Sequence, residues 1–220
     1  MSIKVKICGL KTTDDIEAIT QEGADYAGFV YHHKSPRHIE LQEAANLVSK
    51  LPDYIKAVIV TVNPDDDLLR KILAMNPLPD FIQLHGNESA DRITKIKSIL
   101  PDVGVIKAIS VRDSNDVKRA NEFYELVDFL LFDAKPKDNN SLAGGNGISF
   151  DWSVMDDDSV RDSIKISWFL SGGLNKDNVR EAILRTKAKM IDLSSGVEEK
   201  AGVKSASMIK EFMEIVRNES

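Results

Sequence analysis

The sequence predicts an α/β fold, a single-domain (β/α)8 barrel of parallel strands, on three observations. Eight short apolar runs rich in β-branched residues alternate with segments of helical period. Parallel strands need long crossovers, and closing the sheet into a barrel leaves no free sheet edge. No shift in composition and no Pro/Ser-rich linker divides the 220 residues. We therefore expect one (β/α)8 domain over residues 1–220.

The predicted strands are short, and polar or glycine-bearing segments follow most of them closely. In chain order they cover residues 4–8, 26–31, 57–62, 81–84, 105–109, 129–133, 167–170 and 190–193. Their regular alternation with helical segments makes eight strands fit a chain of 220 residues.

Helix start signals stand between the strands, and amphipathic spacings follow them. In chain order the signals are Thr12 to Asp15 before Ile16, Asn63-Pro64 before Leu68, Asn87-Glu88 before Ile93, Asn175 before Val179, and Lys204 before Met208. Two segments are less regular, 115–123 and 153–162, since aspartates at 156–158 interrupt any apolar face in the second.

A doubly wound open sheet is the structural alternative. It would place all eight strands in one open sheet, and it would usually carry a glycine-rich fingerprint after the first strand. The first strand is instead followed by Cys8-Gly9-Leu10. The barrel is therefore the better prediction.

Composition and charge exclude several classes of protein. The net charge of −6 and a pI near 5.3 argue against a nucleic-acid surface. No apolar run approaches the roughly 20 residues of a membrane helix, and the first residues show no signal segment. A single cysteine excludes an intramolecular disulfide. We expect a cytoplasmic protein that binds neither nucleic acid nor membrane.

Polar residues follow the strands at the barrel end where functional sites lie. They are Cys8 after the first strand, Ser35-Pro36-Arg37 after the second, Gln83 to Gly86 at the fourth, Asp133 at the sixth, Ser171 to Leu174 after the seventh and Asp192 to Glu198 at the eighth. Taken alone, Cys8 has the simpler interpretation of a small buried hydrophobe. The polar residues at the other strand ends favour a functional site that includes Cys8.

Two glycine-bearing loops predict a phosphate site. Gly172 and Gly173 let the backbone approach an anion closely, and Ser194, Ser195 and Gly196 offer further amide donors. The loops after the seventh and eighth strands are where such barrels commonly hold phosphate. Glycines can also simply turn tight corners, but two such loops after consecutive strands favour the anion site.

The short sequence segments around these strand ends, taken in chain order, resemble those of the phosphoribosylanthranilate isomerase family of tryptophan biosynthesis. The matching segments are Lys6 to Leu10, Ser35 to Arg37, Gln83 to Gly86, Leu131 to Asp133, Gly144 to Gly147, Phe150 to Trp152, Ser171 to Leu174 and Ser194 to Glu198. Most are weak individually, whereas their shared order over residues 6–198 is specific. The resemblance implies a (β/α)8 barrel that takes a phosphorylated sugar–anthranilate substrate with no cofactor, as a monomer or homodimer.

The family carries out an Amadori rearrangement of N-(5′-phosphoribosyl)anthranilate to 1-(2-carboxyphenylamino)-1-deoxyribulose 5-phosphate. Proton donation to the ring oxygen opens the furanose, and removal of the C2′ proton from the resulting Schiff base gives an enolamine that becomes the ketone. By resemblance, Asp133 is the general acid and Cys8 the general base. A free thiol titrates near 8.5, so we expect the cationic Schiff base to favour the Cys8 thiolate.

The resemblance also assigns substrate contacts. It places Arg37 against the anthranilate, where a guanidinium can stack on the ring or pair with the carboxylate, and it places Asp192 near the anthranilate amine. His85 is expected to have a structural or substrate-contact role. His32, His33 and His38 show no spacing that implies a metal site.

Simpler interpretations and other functions stay open. Asp133 taken alone could cap the following segment. The polar stretch 134–149 is long enough for a mobile lid over the site, or is a tolerated insertion.

Indole-glycerol-phosphate synthase is a neighbouring alternative, but its chemistry requires catalytic lysine and glutamate at strand ends. A non-catalytic barrel that binds a phosphorylated metabolite is the more distant one.

Overall fold

Eight parallel strands close into a barrel in chain order in the computed structural model, which describes residues 2–134, 152–155 and 158–219. The barrel strands are β1 (Lys4–Cys8), β2 (Tyr26–Val30), β3 (Lys56–Thr61), β4 (Phe81–Leu84), β5 (Gly104–Val111), β6 (Phe129–Ala134), β7 (Trp168–Ser171) and β8 (Met190–Leu193). β1 pairs with both β2 and β8, which closes the ring. The predicted barrel is confirmed, and the open sheet is excluded.

Helices follow the strands around the outside. They are α1 (Thr13–Gln21), α2 (Leu41–Val48), α3 (Asp66–Leu73), α4 (Ala90–Ile99), α5 (Ser114–Arg119), α6 (Asp158–Asp162), α7 (Val179–Thr186) and α8 (Ala206–Arg217). Between β8 and α8, a short 3-10 helix (Ser195–Val197) leads into a hairpin of β9 (Glu198–Lys200) and β10 (Val203–Lys204).

Four helices begin at side chains that bind their free backbone N–H groups. Thr12 and Asp113 each form a capping box with the acidic residue three positions on, and Asp65 and Ser89 cap α3 and α4. Such a cap stabilises a helix by about 1 kcal/mol. No start signal predicted α2, because the residue before it, Glu40, is not of a type that usually caps a helix.

The two irregular segments form short helices. Residues 115–123 lie in α5 and a following 3-10 turn, Ala120–Phe123. Residues 152–155 form a 3-10 turn before α6, with buried Trp152 and Met155 on the core. Predicted strand bounds differ from the structure by at most two residues; the fifth, predicted at 105–109, runs from Gly104 to Val111.

An aromatic layer closes the lower part of the barrel interior. Tyr26, Phe81, Phe129 and Phe169 meet edge to face, with ring centroids 5.1 Å to 6.2 Å apart. Three of them are the first residues of their strands, so the layer lies toward the amino ends. This apolar plug separates the amino end of the barrel interior from the carboxyl end, where the predicted site residues stand.

The described parts of the chain contain no helix that is long and apolar enough to cross a membrane. The predicted lid at 134–149 lies outside the described residues except for Ala134, which ends β6. The lid therefore stays a prediction.

Candidate active site

The Cys8 side chain lies on the inner face of β1, at the carboxyl end of the strand. Cys8 pairs in register with Gly28 of β2. A Cβ atom at position 28 would lie 2.9 Å from Cys8 Sγ and 3.0 Å from Cys8 Cα. Glycine at position 28 therefore provides the space that the Cys8 thiol occupies.

Asp133 stands at the carboxyl end of β6, three strands away from β1 around the ring. In register it lies between Ser110 of β5 and Ser171 of β7. Cys8 and Asp133 both occupy inward-facing positions at the carboxyl ends of their strands. Because the barrel is closed, the two side chains face the same central space. The structure thus brings the predicted acid and base to one site.

His85 and Gln83 adjoin Asp133. The Asp133 Oδ2 atom lies 3.4 Å from His85 Nε2, and the Gln83 side-chain nitrogen lies 3.0 Å from His85 Nδ1. When the Gln83 amide donates to Nδ1, the imidazole proton is on Nε2 and points to Asp133. His85 is thus a neighbour of the predicted acid, a contact that the sequence did not predict.

A buried ion pair lies beneath Cys8. Lys6 Nζ lies 2.7 Å from Asp192 Oδ1, and Ser171 Oγ donates to Asp192 Oδ2 at 3.0 Å. The register explains the contact, since Lys6 of β1 is directly opposite Asp192 of β8. Burial lowers the pKa of Lys6, but the Asp192 carboxylate and Cys8 raise it above its ordinary value, so the lysine is charged.

Cys8 has charged neighbours of both signs. Burial raises the pKa of the Cys8 thiol above its ordinary value; the Lys6 and Lys204 ammonium groups lower it, and Asp192 raises it. The burial effect is the largest. The Cys8 side chain therefore favours the neutral thiol, and the two ammonium groups oppose that preference.

Arg37 is clamped by Glu198. Its Nε and Nη2 atoms each lie 2.7 Å from a different carboxylate oxygen of Glu198. The stem of Arg37 passes over Gly9, where a Cβ atom would lie 2.7 Å from Arg37 Cδ. Gly9 has φ +84°, which also favours glycine. Arg37, the residue predicted to contact the anthranilate, is thus held in place by Glu198.

Lys204 joins the same network from β10. Its Nζ atom lies 2.7 Å from Glu198 Oε1 and 2.9 Å from the Ser194 carbonyl oxygen. The Ser194 hydroxyl in turn donates to the Cys8 carbonyl at 2.8 Å. Burial raises the pKa of Glu198, but its hydrogen bonds from Arg37 and Lys204 outweigh this and lower it to about 2. Burial lowers the pKa of Lys204.

The two predicted phosphate loops lie side by side. Gly172 and Gly173 both have positive φ, of 100° and 65°, and Gly173 has open space around it. A Cβ atom at Gly196 would collide with the carbonyl oxygen of Leu174, so the loops pack backbone to backbone. Ser195 begins the short 3-10 helix there. The five predicted phosphate residues thus form one backbone-lined corner, whose anion binding stays a prediction.

A cluster that the sequence did not predict lies beside Arg37 in the loop after β2. His33, His38 and Glu40 bring possible ligand atoms within 4.8 Å of one another. The His32 N–H donates to His38 Nδ1 at 3.1 Å, so the His38 Nε2 atom carries a proton and donates to Glu40 at 2.9 Å. A protonated nitrogen offers no lone pair to a metal, and the expectation of no metal site stands as a prediction.

The sequence assigned no role to Lys6 or Lys204, and it did not predict that His85 contacts Asp133. Lys6 alternates with apolar residues in β1, and its position two residues before Cys8 is the one signal that it shares the inner face. The structure alone reveals the positions of Lys204, which a hairpin brings back to the site, and of His85 next to Asp133, which lies on a non-adjacent strand.

Comparisons with known proteins agree over nearly the whole chain. A family model described as N-(5′phosphoribosyl)anthranilate (PRA) isomerase matches residues 5–215. The N-(5′-phosphoribosyl)anthranilate isomerase of Rhizobium rhizogenes is 45% identical over 216 residues, 98% of this chain and 95% of that protein. The one from Agrobacterium fabrum is 43% identical over 218 residues, covering 99% and 96%.

Solved structures agree in fold. The crystal structure of phosphoribosyl anthranilate isomerase from Thermotoga maritima has a TM-score of 0.84 at 35% identity, and covers 98% of this chain and 99% of that one. A phosphoribosyl anthranilate isomerase in complex with reduced 1-(o-carboxyphenylamino)-1-deoxyribulose 5-phosphate has a TM-score of 0.81 at 33% identity, with the same coverage.

Proposed function

We propose, since the chain belongs to the N-(5′-phosphoribosyl)anthranilate isomerase family, that Cys8 and Asp133 are the base and acid with which it isomerises this substrate. The family activity is an aldose–ketose isomerisation in tryptophan biosynthesis. The observation that carries the residue assignment is the convergence of Cys8 and Asp133, at the ends of β1 and β6, on one polar space above an aromatic plug. We expect the enzyme to act in the cytoplasm.

Asp133 performs the first step. Its carboxylic acid donates a proton to the furanose ring oxygen, the bond from C1′ to that oxygen breaks, and a protonated Schiff base forms with the anthranilate nitrogen. His85, within 3.4 Å of Asp133 Oδ2, holds the carboxyl group in place. A positioned acid of this kind contributes roughly 10²–10⁴-fold to rate.

Cys8 performs the second step. The thiolate removes the proton from C2′ and becomes a thiol, and the electron pair moves into the C1′–C2′ bond, which neutralises the iminium nitrogen. The enolamine then tautomerises to the ketone. Burial keeps Cys8 neutral without substrate. Once the cationic Schiff base has formed, its positive charge lets the Cys8 thiol release its proton to water, and the resulting thiolate is the base that takes the C2′ proton.

The rim of the barrel binds the two ends of the substrate. Backbone N–H groups around Gly173 and Gly196 hold the phosphate, as the close packing of the two loops favours. Arg37 faces the anthranilate with its guanidinium fixed by Glu198, and Asp192 lies nearest the amine. The related enzyme solved with a reduced, phosphorylated product analogue supports a substrate of this class.

An activity assay tests the proposed function. Purified protein is mixed with freshly made phosphoribosylanthranilate, and loss of the anthranilate fluorescence is followed without added metal or cofactor. We expect full conversion at a rate proportional to enzyme concentration. A protein that binds the substrate but leaves it unconverted would instead be the non-catalytic phosphate-binding barrel.

Sedimentation of the same sample distinguishes monomer from homodimer; a related protein from Thermotoga maritima is described as dimeric.

A further inference from the structure

Lys6 is a completely buried cation, with no exposed side-chain area. Removing an ammonium group from water is unfavourable, and a buried ion pair seldom makes up for that by stability alone. Most of the other inward positions of the barrel are filled by apolar side chains such as Val58, Ile106 and Leu131. The presence of a charged pair at this depth therefore suggests a role in the chemistry above it.

The geometry directs Lys6 toward Cys8. The two residues are two positions apart on β1, so their side chains point to the same inner face. Asp192 Oδ1 takes one of the three N–H groups of Lys6, and Asp192 Oδ2 is already bound by Ser171. The Lys6 ammonium group and the Cys8 thiol also interact with each other electrostatically.

Four charged groups interact with Cys8, and they differ in sign. Lys6 and Lys204 favour its thiolate, and Asp192 opposes it. Arg37 also interacts with Cys8: the hydrogen bond to Glu198 is the main cause of the raised pKa of the guanidinium, and Cys8 adds to it. Of the two ammonium groups, Lys6 has the larger effect on Cys8. Lys204 is instead occupied by Glu198 and Ser194.

We propose that Lys6 is a positioning residue for the isomerisation: its ammonium group, held by Asp192, donates a hydrogen bond to Cys8 Sγ and stabilises the thiolate that accepts the C2′ proton. Lys6 keeps all its protons throughout, and the only proton that moves in this step goes from C2′ to sulfur. The inference rests on the proposed function of Cys8. It separates two roles of the ion pair, since Asp192 holds the lysine and the lysine acts on the sulfur.

The reactivity of the single cysteine tests this proposal directly. Iodoacetamide alkylation of Cys8 is measured by mass spectrometry across a pH range, without substrate, in the wild type and in Lys6→Met. We expect the Lys6→Met profile to move to higher pH, with alkylation about tenfold slower at a fixed pH below the transition, as one pKa unit implies. Where reagent access limits the rate, thiolate ultraviolet absorbance, with Cys8→Ala as background, gives the same comparison.

Lys107→Met is the matched control. Lys107 is also a buried barrel lysine, 2.9 Å from Glu88, but it points to the outer side of β5. We expect its removal to leave the Cys8 profile unchanged. An unshifted profile in Lys6→Met would overturn the proposal. An equal shift in both variants would also overturn it, because a general loss of stability would then explain the shift.

A second variant covers failure of Lys6→Met to fold. The double change Lys6→Met with Asp192→Asn leaves no unpaired carboxylate, and we expect a smaller shift in the same direction, since loss of Asp192 acts in the opposite sense. In turnover, Lys6→Met should lower kcat at least about tenfold with KM changed less than about twofold. An inactive wild type refutes the proposed function; an active wild type with an unshifted Lys6→Met profile refutes this inference alone.

Discussion

Arg37 and Glu198 form a bidentate ion pair across the mouth of the barrel, with two nitrogen–oxygen distances of 2.7 Å. The planar geometry fixes the plane of the guanidinium as well as its position. The Glu198 side chain is only 3% exposed, and Lys204 binds it from the other side. The Arg37 guanidinium is thus held in one orientation by residues of the protein itself.

Glu198→Gln should therefore weaken substrate binding. The amide offers a single acceptor oxygen, so one Arg37 donor loses its partner and the guanidinium becomes free to turn. We expect KM to rise roughly tenfold, equivalent to about 1.4 kcal/mol, with a smaller change in kcat, measured by steady-state kinetics. Glu199→Gln, at the exposed neighbouring position, is the control and should behave like the wild type. An unchanged KM in Glu198→Gln would remove Glu198 from the site.

The same carboxylate should contribute to acid stability. The pKa of Glu198 is lowered to about 2 in the folded protein, against roughly 4.3 for a free glutamate. A depressed folded-state pKa stabilises the protein above the unfolded value, and this contribution is lost as the pH falls toward about 2. Denaturant unfolding of the wild type should show the loss across this range, and Glu198→Gln should show a shallower dependence. Parallel curves would contradict the prediction.

Gly28→Ala should damage catalysis without damaging binding. The added methyl group would contact both Sγ and Cα of Cys8, so rotation of the thiol alone cannot relieve it. Since a misplacement of about 1 Å can cost around 100-fold, we expect kcat to fall by about that factor. Binding of a product analogue, measured by calorimetry, should stay within about threefold. Wild-type kcat in a folded Gly28→Ala protein would show that the thiol position is not critical.

Gly196→Ala should disrupt the predicted phosphate site, the backbone-lined corner formed by the loops after β7 and β8. The methyl group would push the loop after β8 away from Leu174 and separate the two sets of backbone N–H groups. We expect weaker competitive inhibition by inorganic phosphate and a higher KM, each by roughly tenfold. Gly23→Ala, in the turn after α1 with nothing near its Cβ, is the control for loss of a glycine. Equal phosphate inhibition in both variants would place the phosphate elsewhere.

Strand order and most strand bounds could be predicted because buried parallel strands have an obvious apolar pattern. The runs at 4–8, 81–84 and 190–193 match the structure to the residue. Helix α2 could not be predicted from a start signal, since Glu40 at its start is not a typical capping residue. The barrel prediction did not depend on that helix, because each strand needs some crossover to the next.

The predicted site residues stand at the carboxyl ends of strands or in the loops that follow them, and a barrel gathers these at one end. Their contacts were less predictable. The pairing of Lys6 with Asp192 depends on the register between the first and last strands, and that of His85 with Asp133 spans non-adjacent strands. Neither relationship leaves a spacing in the sequence.

The most direct test of the account measures kcat for Cys8→Ala and Asp133→Asn, together with binding of reduced 1-(o-carboxyphenylamino)-1-deoxyribulose 5-phosphate to each variant. Each change removes one proton transfer and little of the binding surface. We predict that kcat falls by roughly 10²–10⁴-fold in each variant, while analogue affinity stays within about threefold of the wild type. Near-normal turnover in either folded variant would contradict the assignment of base and acid.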